Sequence, residues 1–392
     1  LENIALNGKP DPDLDHLAFD DKKTYELLGR AETLGVFQLD GGGMRDLLKL
    51  MKPDNFEDIS AVGALYRPGP MGANSHTNYA LRKNGRQEIT PIHPELEEPL
   101  KDILGTTFGL IVYQEQVMQI AQKLAGYSLG QADILRKAMG KKMKAIVDKM
   151  KPKFIKQGQE NGHDPQVLEK IWSDWEKFAS YAFNKSHATC YSWVAYQTAY
   201  MKAHYPAEYM AALMTRRFSQ ITEITKLMEE CKALKIATLG PDVNESQIGF
   251  GVNKHGEIRF GLSAIKGMGA SAADSIVRER MENGPYKDIY DFAERVDLSN
   301  VNRKAFESLA YSGGFDSFGL QREQYFAVTA KGDLFLDTIV RYGQLFQAEK
   351  AQQQNSLFGG MDAIDVIHPI AHKAVQWKAI EKLKKERETA GR

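Results

Sequence analysis

The 392 residues are 43% hydrophobic and 26% charged, enough chain for two or three globular domains with a sizeable core. Lys plus Arg and Asp plus Glu number 51 each, so no global field draws polyanions and any basic site has to be local. Two distant cysteines without metal-ligand spacing, Cys190 and Cys231, point to a reducing cytoplasmic compartment, and the absence of a signal peptide or bilayer-length apolar run argues against a membrane partner.

Residues 1–20 read as a lead-in loop rich in Pro and Asp. Asp11, Asp13 and Asp15 of "DPDLD" fit plain solvation better than a metal site, because no further ligand follows. From about Thr24 a helical period runs almost to residue 240, broken at "YRPGP", "TPIHPELEEP", "MKPKF", "NGHDP" and "HYPAE". The only strand-like runs are "GLIVY" (109–113), "IGFGV" (248–252) and "EIRFGL" (257–262). The expected fold is mainly α and multidomain, with few short strands.

Ser128 with Gln131 three residues on is a capping-box signature that starts a helix. On that helix Ile134, Leu135, Ala138 and Met139 share one arc, and Arg136, Lys137, Gly140 and Lys141 the other. The cationic arc fits a solvated face and also a phosphate-binding ridge. Basic residues continue through Lys142, Lys144, Lys149, Lys151, Lys153 and Lys156 against Asp148 alone, a local excess that suits a polyanion.

In "YAFNKSHATCYSWVAYQTAYMKAHYPAEYM" a helix of roughly 18 residues, capped by Ser186, should run to Pro206. Trp193, Tyr196, Tyr200 and Met201 read as packing. Tyr181, Asn184, Lys185 and His187 crowd its N-terminal mouth, where free N–H groups favour an anion. That mouth suits a nucleotide, although a loop with a satisfied core histidine has the same spacing. Beyond Gly240, "AIKGMGASAADSIVRER" has the helix-hairpin-helix pattern: Lys266, Gly267, Met268 and Gly269 form the hairpin and would bind duplex backbone. A degenerate second copy follows at Gly313 and Gly314. "QAEKAQQQNSLFGG" (347–360) reads as a flexible linker carrying a peptide anchor, Gln354, Leu357 and Phe358. The chain opens on Leu1 and closes on "KAIEKLKKERETAGR" without a turn, so it reads as an internal piece of a longer protein. The divisions are 1–20 lead-in, 21–250 helical domain, 251–318 tandem hairpins, 319–375 linker and 376–392 the start of a further domain.

"LGVFQLDGGGMRDLLKLMKP", "ALYRPGPM", "GLIVYQEQVMQIAQKLAGYSLGQADILRKAMGKK" and the 181–210 stretch resemble, in order, the fingers of bacterial C-family replicases, the DNA polymerase III alpha subunits. The resemblance implies template-directed nucleotidyl transfer, with dNTP, primer-template DNA, the sliding clamp (beta subunit) and other holoenzyme subunits as partners. Arg136 and Lys137 would then lie near the incoming triphosphate, with Arg67 as a helper, and Tyr181, Asn184, Lys185 and His187 would line the nascent base pair. The clusters around 136 and 185 should converge on one groove. Lys141 and Lys142 would join the hairpin as DNA contacts, and "QNSLF" would bind the clamp. The family's metal-binding aspartates belong to the palm, and "DPDLD" does not match them; Mg2+ is therefore expected in the full-length enzyme, and this piece is expected to be inactive alone. Two other classes fit parts of the pattern: a non-enzymatic duplex-binding module using only the hairpins, and a nucleotidyltransferase acting on small molecules.

Overall fold

The computed structural model describes residues 1–141, 143–178, 182–355 and 367–390. The chain is mainly α-helical and divides into two compact units, Asp13–His204 and Leu1–Pro12 with Tyr205–Arg392.

The Asp13–His204 unit has two cores. In the first, the helices Lys22–Gly29, Gly42–Met51, Phe56–Leu65 and Ser75–Lys83 assemble with Lys185–His204, and Leu28, Leu48, Met51, Val62, Tyr196 and Ala199 are fully enclosed. In the second, Glu97–Leu104, Gln114–Ala125, Leu129–Gly140, Lys144–Glu160 and Pro165–Phe178 enclose Ile120, Leu124, Leu135, Phe154, Trp172 and Trp175. Phe154 lies 5.2 and 5.0 Å, centroid to centroid, from the two indoles. Burying such large rings supplies the main driving force for this core.

The local signals explain most boundaries. The Ser128 capping box forms as expected: Ser128 Oγ accepts the Gln131 N–H at 3.3 Å and Gln131 Oε1 accepts the Ser128 N–H at 3.0 Å. Ile134 departs from its expected core arc and is 52% exposed, whereas Ala132 takes the inward place. "MKPKF" is not a break. Pro152 sits inside the Lys144–Glu160 helix, and Val147, Phe154 and Gly158, buried on either side of it, hold the helix together through its missing N–H bond. "GLIVY" forms no strand, only a single bridge from Tyr113 to Phe183. Its donors are taken by a side chain instead: Gln116 Oε1 accepts the Val112 and Tyr113 N–H groups at 2.8 and 3.0 Å.

The Leu1–Pro12 and Tyr205–Arg392 unit begins with helices Glu2–Leu6, Pro206–Arg216 and Ile221–Ala233 and a three-stranded sheet. Ile258–Arg259 is the central strand, parallel to Thr238–Leu239 and antiparallel to Gly251–Val252. Gly261 permits the tight return of the chain here, since a Cβ would meet the Gly249 backbone at 2.4 Å. Helices Ala270–Asn283, Ile289–Arg295, Arg303–Ser312, Phe335–Asn355 and Ala379–Ala390 follow. The expected flexible linker at 347–360 is helical to Asn355, because Phe335, Leu336, Ile339 and Tyr342 bury one face and Gln347 Nε2 donates to Ala293 O and Val296 O.

One buried cluster ties helix 56–65 to helix 75–83. Asp58 is 1% exposed, accepts from Tyr79 Oη at 3.3 Å and pairs with Lys83 Nζ at 3.3 Å. Burial pushes its carboxyl up to about 6, against the opposing pull of Lys83. A carboxyl raised in the folded state binds more protons there than in the unfolded chain, so its contribution to stability is complete below about pH 4 and is lost as pH rises towards 6. We expect the urea midpoint to fall over that interval in the parent and to flatten in Asp58→Asn; an unchanged slope in the variant would contradict the assignment.

Candidate nucleic-acid interface

The entrance to the 185–204 helix is built by exchange of hydrogen bonds with the start of the 114–125 helix. Asn184 Oδ1 accepts the His187 N–H at 2.9 Å, so Asn184, and not Ser186, is the capping residue. The Asn184 amide donates to Glu115 Oε1 at 2.8 Å and the Lys185 N–H to Glu115 Oε2 at 2.9 Å. The Gln114 N–H donates to Phe183 O at 2.9 Å. Glu115 therefore places a carboxylate at the positive end of a 20-residue helix. The Lys185 ammonium turns to Glu57, 3.3 Å away, and lies 5.5 Å from the Tyr113 ring centroid.

Just inside this mouth is a cleft of about 620 Å³ lined by Gln38, Asp40, Tyr66, Arg67, Phe183, His187 and Tyr191 among others. The Arg67 guanidinium lies 4.3 Å over the Phe183 ring, and its Nε donates to Ala64 O at 2.9 Å. Partial burial pushes the Arg67 pKa down, a cost the ring face offsets in part. Aromatic rings continue outward: Phe183 to His187 at 5.4 Å, His187 to Tyr191 at 4.3 Å, Tyr191 to Phe37 at 5.6 Å. The rings meet edge-on or tilted, at 62°, 40° and 37°, so chemically this is a run of aromatic surface beside a cation, suited to a planar base attached to a phosphate.

Among the expected nucleotide contacts, Arg67 and His187 share this cleft, while Asn184 and Lys185 stand at its mouth. Tyr181 lies outside the described residues. Arg136 and Lys137 do not line the cleft. Both bind Asp133: Arg136 Nη2 to Oδ1 at 2.7 Å and Lys137 Nζ to Oδ2 at 2.7 Å. The two cations hold the Asp133 carboxyl below its ordinary value, Lys137 contributing most. These are surface pairs, Lys137 being 60% exposed. Their helix nevertheless ends against the mouth, since a Cβ on Gly140 would sit 3.5 Å from Gln114 Nε2, which itself donates to Ala182 O at 3.4 Å. Lys141 is exposed and Lys142 lies outside the described residues. The aromatic lining of Tyr66, Phe183 and Tyr191 escaped sequence reasoning, although the "YRPGP" and 181–210 stretches hold all three, because nothing in the sequence signals that they meet.

In the other unit, Lys266, Gly267 and Gly269 are exposed and Met268 is buried. Gly267 has φ +91°, and a Cβ there would meet Ser308 Oγ at 2.7 Å. The Lys266 N–H donates to Thr389 O at 2.8 Å, so one of the hairpin's donors is taken. At the second copy, Gly313 closes the 303–312 helix with φ +90°, and a Cβ on Gly314 would strike Leu309, so these glycines serve packing. The side chain of Gln354, and Leu357 and Phe358, lie outside the described residues. Among the described residues no group of three His, Cys, Asp or Glu could hold a metal ion, and no helix is long and apolar enough to cross a membrane.

Residues 1–162 match the bacterial DNA polymerase III alpha subunit finger domain, and residues 235–325 match the helix-hairpin-helix motif. A polymerase finger domain followed by a hairpin unit is thus the class that this fold and cleft define. The chain is 47% identical over its whole length to the DNA polymerase III subunit alpha of Mycobacterium tuberculosis, covering 33% of it. It is 41% identical over 99% of its length to that of Pasteurella multocida, and 44% over 81% to that of Escherichia coli K12. The chain belongs to the bacterial DNA polymerase III alpha subunit family and spans 33% and 28% of the length of the Mycobacterium and Escherichia relatives.

If Asn184 caps the 185–204 helix, Asn184→Ala will lower unfolding free energy by about 1 kcal/mol, and Asn184→Ser will recover most of it. Equal losses from the two variants in chemical denaturation would argue against the capping role.

Proposed function

We propose that this chain is the nucleotide- and template-handling portion of a cytoplasmic replicative DNA polymerase, which extends a primer by template-directed nucleotidyl transfer. The observation that carries the reading is the convergence of Arg67 over Phe183 with the tilted His187–Tyr191 ring pair in one cleft, at the mouth of a helix bearing Lys185. In this reading Phe183, His187 and Tyr191 receive the base and sugar, while Arg67 and Lys185 receive phosphate. Lys185 exchanges Glu57 for the ligand, and Arg136 and Lys137 exchange part of their hold on Asp133. Two cations sharing one carboxylate retain net positive charge, which stabilises charge growing on a departing pyrophosphate. Tyr181 and Asn184 border the nascent pair, and Lys141, Lys142, Lys266, Gly267, Met268 and Gly269 contribute to holding the primer-template duplex.

Mg2+ supplies activation of the primer hydroxyl and the phosphate when bound. The described residues do not fit it, and we assign the ion to a part of the enzyme outside this chain. The isolated chain is then inactive in primer extension. In the complete polymerase, Lys185→Ala and Arg67→Ala should each lower kcat/KM for dNTP incorporation by about 10²-fold. Unchanged incorporation, with duplex binding intact, would favour the alternative of a non-enzymatic hairpin module.

Gln354, Leu357 and Phe358 are proposed to anchor the sliding clamp, with other holoenzyme subunits bound elsewhere. Changing all three to Ala in the complete polymerase should abolish clamp association in gel filtration; retained association refutes the assignment.

A further inference from the structure

We propose that the Lys144–Glu160 helix is a polyphosphate-binding track on which Lys149, Lys153 and Lys156 hold successive phosphates of a nucleic-acid strand. The proposal rests on the nucleic-acid reading above and adds to it a surface that shares no residue with the cleft.

At 100° per residue these three lysines fall within an arc of about 60°. All three are exposed, as is Lys144. The opposite side is fixed: Val147 and Phe154 are buried, and Gly158 is so close to Leu168 that a Cβ would sit 2.5 Å from its Cδ1. The lysines therefore project from a backbone that cannot turn. Among the described residues none of Lys144, Lys149, Lys153 and Lys156 has a carboxylate within 4.0 Å.

That is unlike the charged faces elsewhere in this chain. The 129–140 helix interleaves Asp133 with Arg136 and Lys137, and the 303–312 helix interleaves Glu307 with Arg303 and Lys304. On the 144–160 helix, Lys149 and Lys153 stand one turn apart, as do Lys153 and Lys156, so three like charges adjoin before Glu160. Glu160, the one acid on that arc, lies at its far end and forms no ion pair within 4.0 Å with Lys156. The helix start carries the same imbalance: Lys144 is its first residue, its first turn has no acid, and Met143 provides no side-chain cap. An external anion relieves both features. From Lys149 to Lys156 the helix advances about 10 Å, the distance over which one strand of a duplex advances about three phosphates. The ligand chemistry is a polyphosphate strand, which duplex or single-stranded DNA can supply.

The test is fluorescence anisotropy of the 392-residue chain with a duplex and with a single strand, across a salt series. Replacing Lys149, Lys153 and Lys156 together by Gln should weaken binding about tenfold and reduce the slope of log K against log salt by about 2. The triple Arg variant should keep both. The triple Gln variant at Lys22, Lys23 and Lys49, which removes the same charge from another exposed part of the unit, should change neither. A larger loss on one DNA form assigns the track to that form. An unchanged slope or an equal loss in the control triple overturns the proposal. Should the parent chain bind no DNA, the reading of the previous subsection falls with it; parent binding with an unaltered Gln triple overturns this inference alone.

Discussion

Lys202 is 1% exposed near the end of the 185–204 helix, and its ammonium donates to Leu34 O at 3.0 Å. Burying an ammonium is tolerable only with such bonds, so the contact fixes where the irregular 33–39 segment runs. Thr198 Oγ1 accepts the Phe37 N–H at 3.1 Å one turn earlier, and Thr33 Oγ1 closes the segment on Leu39 O at 2.5 Å. Gln38 is held with φ +62°, a conformation that costs a non-glycine residue roughly 1 kcal/mol or more. The strained residue is also a wall of the cleft. On the other flank Tyr196 Oη donates to Ala18 O at 2.6 Å, Gln197 to Leu14 O at 2.9 Å, and His204 meets Asp21 at 2.9 Å. One helix thus carries the candidate site residues at its mouth and, along its length, fastens the loops that complete the cleft.

This arrangement explains why a helix so rich in aromatics needs a polar entrance. Its apolar residues are spent against the helices 22–29 and 56–65. The mouth has no such neighbour, and Glu115 settles two of its part-buried donors with one carboxylate. Lys185 remains half-exposed against Glu57, an exposed ion pair of the kind that contributes little to stability. A weak pair keeps the ammonium positioned without committing it to one partner. The same holds for Lys137 on Asp133, where two cations compete for one acceptor.

Local chemistry was legible wherever it acts within one turn of backbone. Ser128 with Gln131, the 185–204 helix stopped before Pro206, and the glycine turn at 267 all follow from neighbours in sequence. What escaped depends on partners far along the chain. Asn184 outcompetes Ser186 as cap because Glu115, 69 residues away, orients its amide. "GLIVY" looks like a strand, yet Gln116 takes the Val112 and Tyr113 donors while those of Gly109 and Leu110 turn back to Leu104 O and Thr107 O. Pro152 looks like a stop, but the Trp172–Trp175 pair gripping Phe154 outweighs one lost hydrogen bond. The Gln-rich run to Asn355 has no apolar pattern of its own and is helical because the residues before it are anchored. The cleft's aromatic ladder joins Phe37 to Tyr191, positions that only the folded backbone brings together.

The hairpin at 266–269 is held from two directions. Ser308 Oγ donates to Lys266 O at 2.9 Å, and the Lys266 N–H is spent on Thr389 O at 2.8 Å. With Met268 buried, the turn cannot rotate about either glycine without breaking one of these contacts or exposing a core side chain. Its outward features are the Lys266 side chain, the Gly267 and Gly269 backbone and the first turn of the 270–283 helix, whose free N–H groups carry the positive end of the dipole. Gly269 caps that helix without a side-chain bond, which leaves those donors open to a ligand. Open backbone donors of this kind, where they meet a phosphate, read the position of a strand rather than its bases.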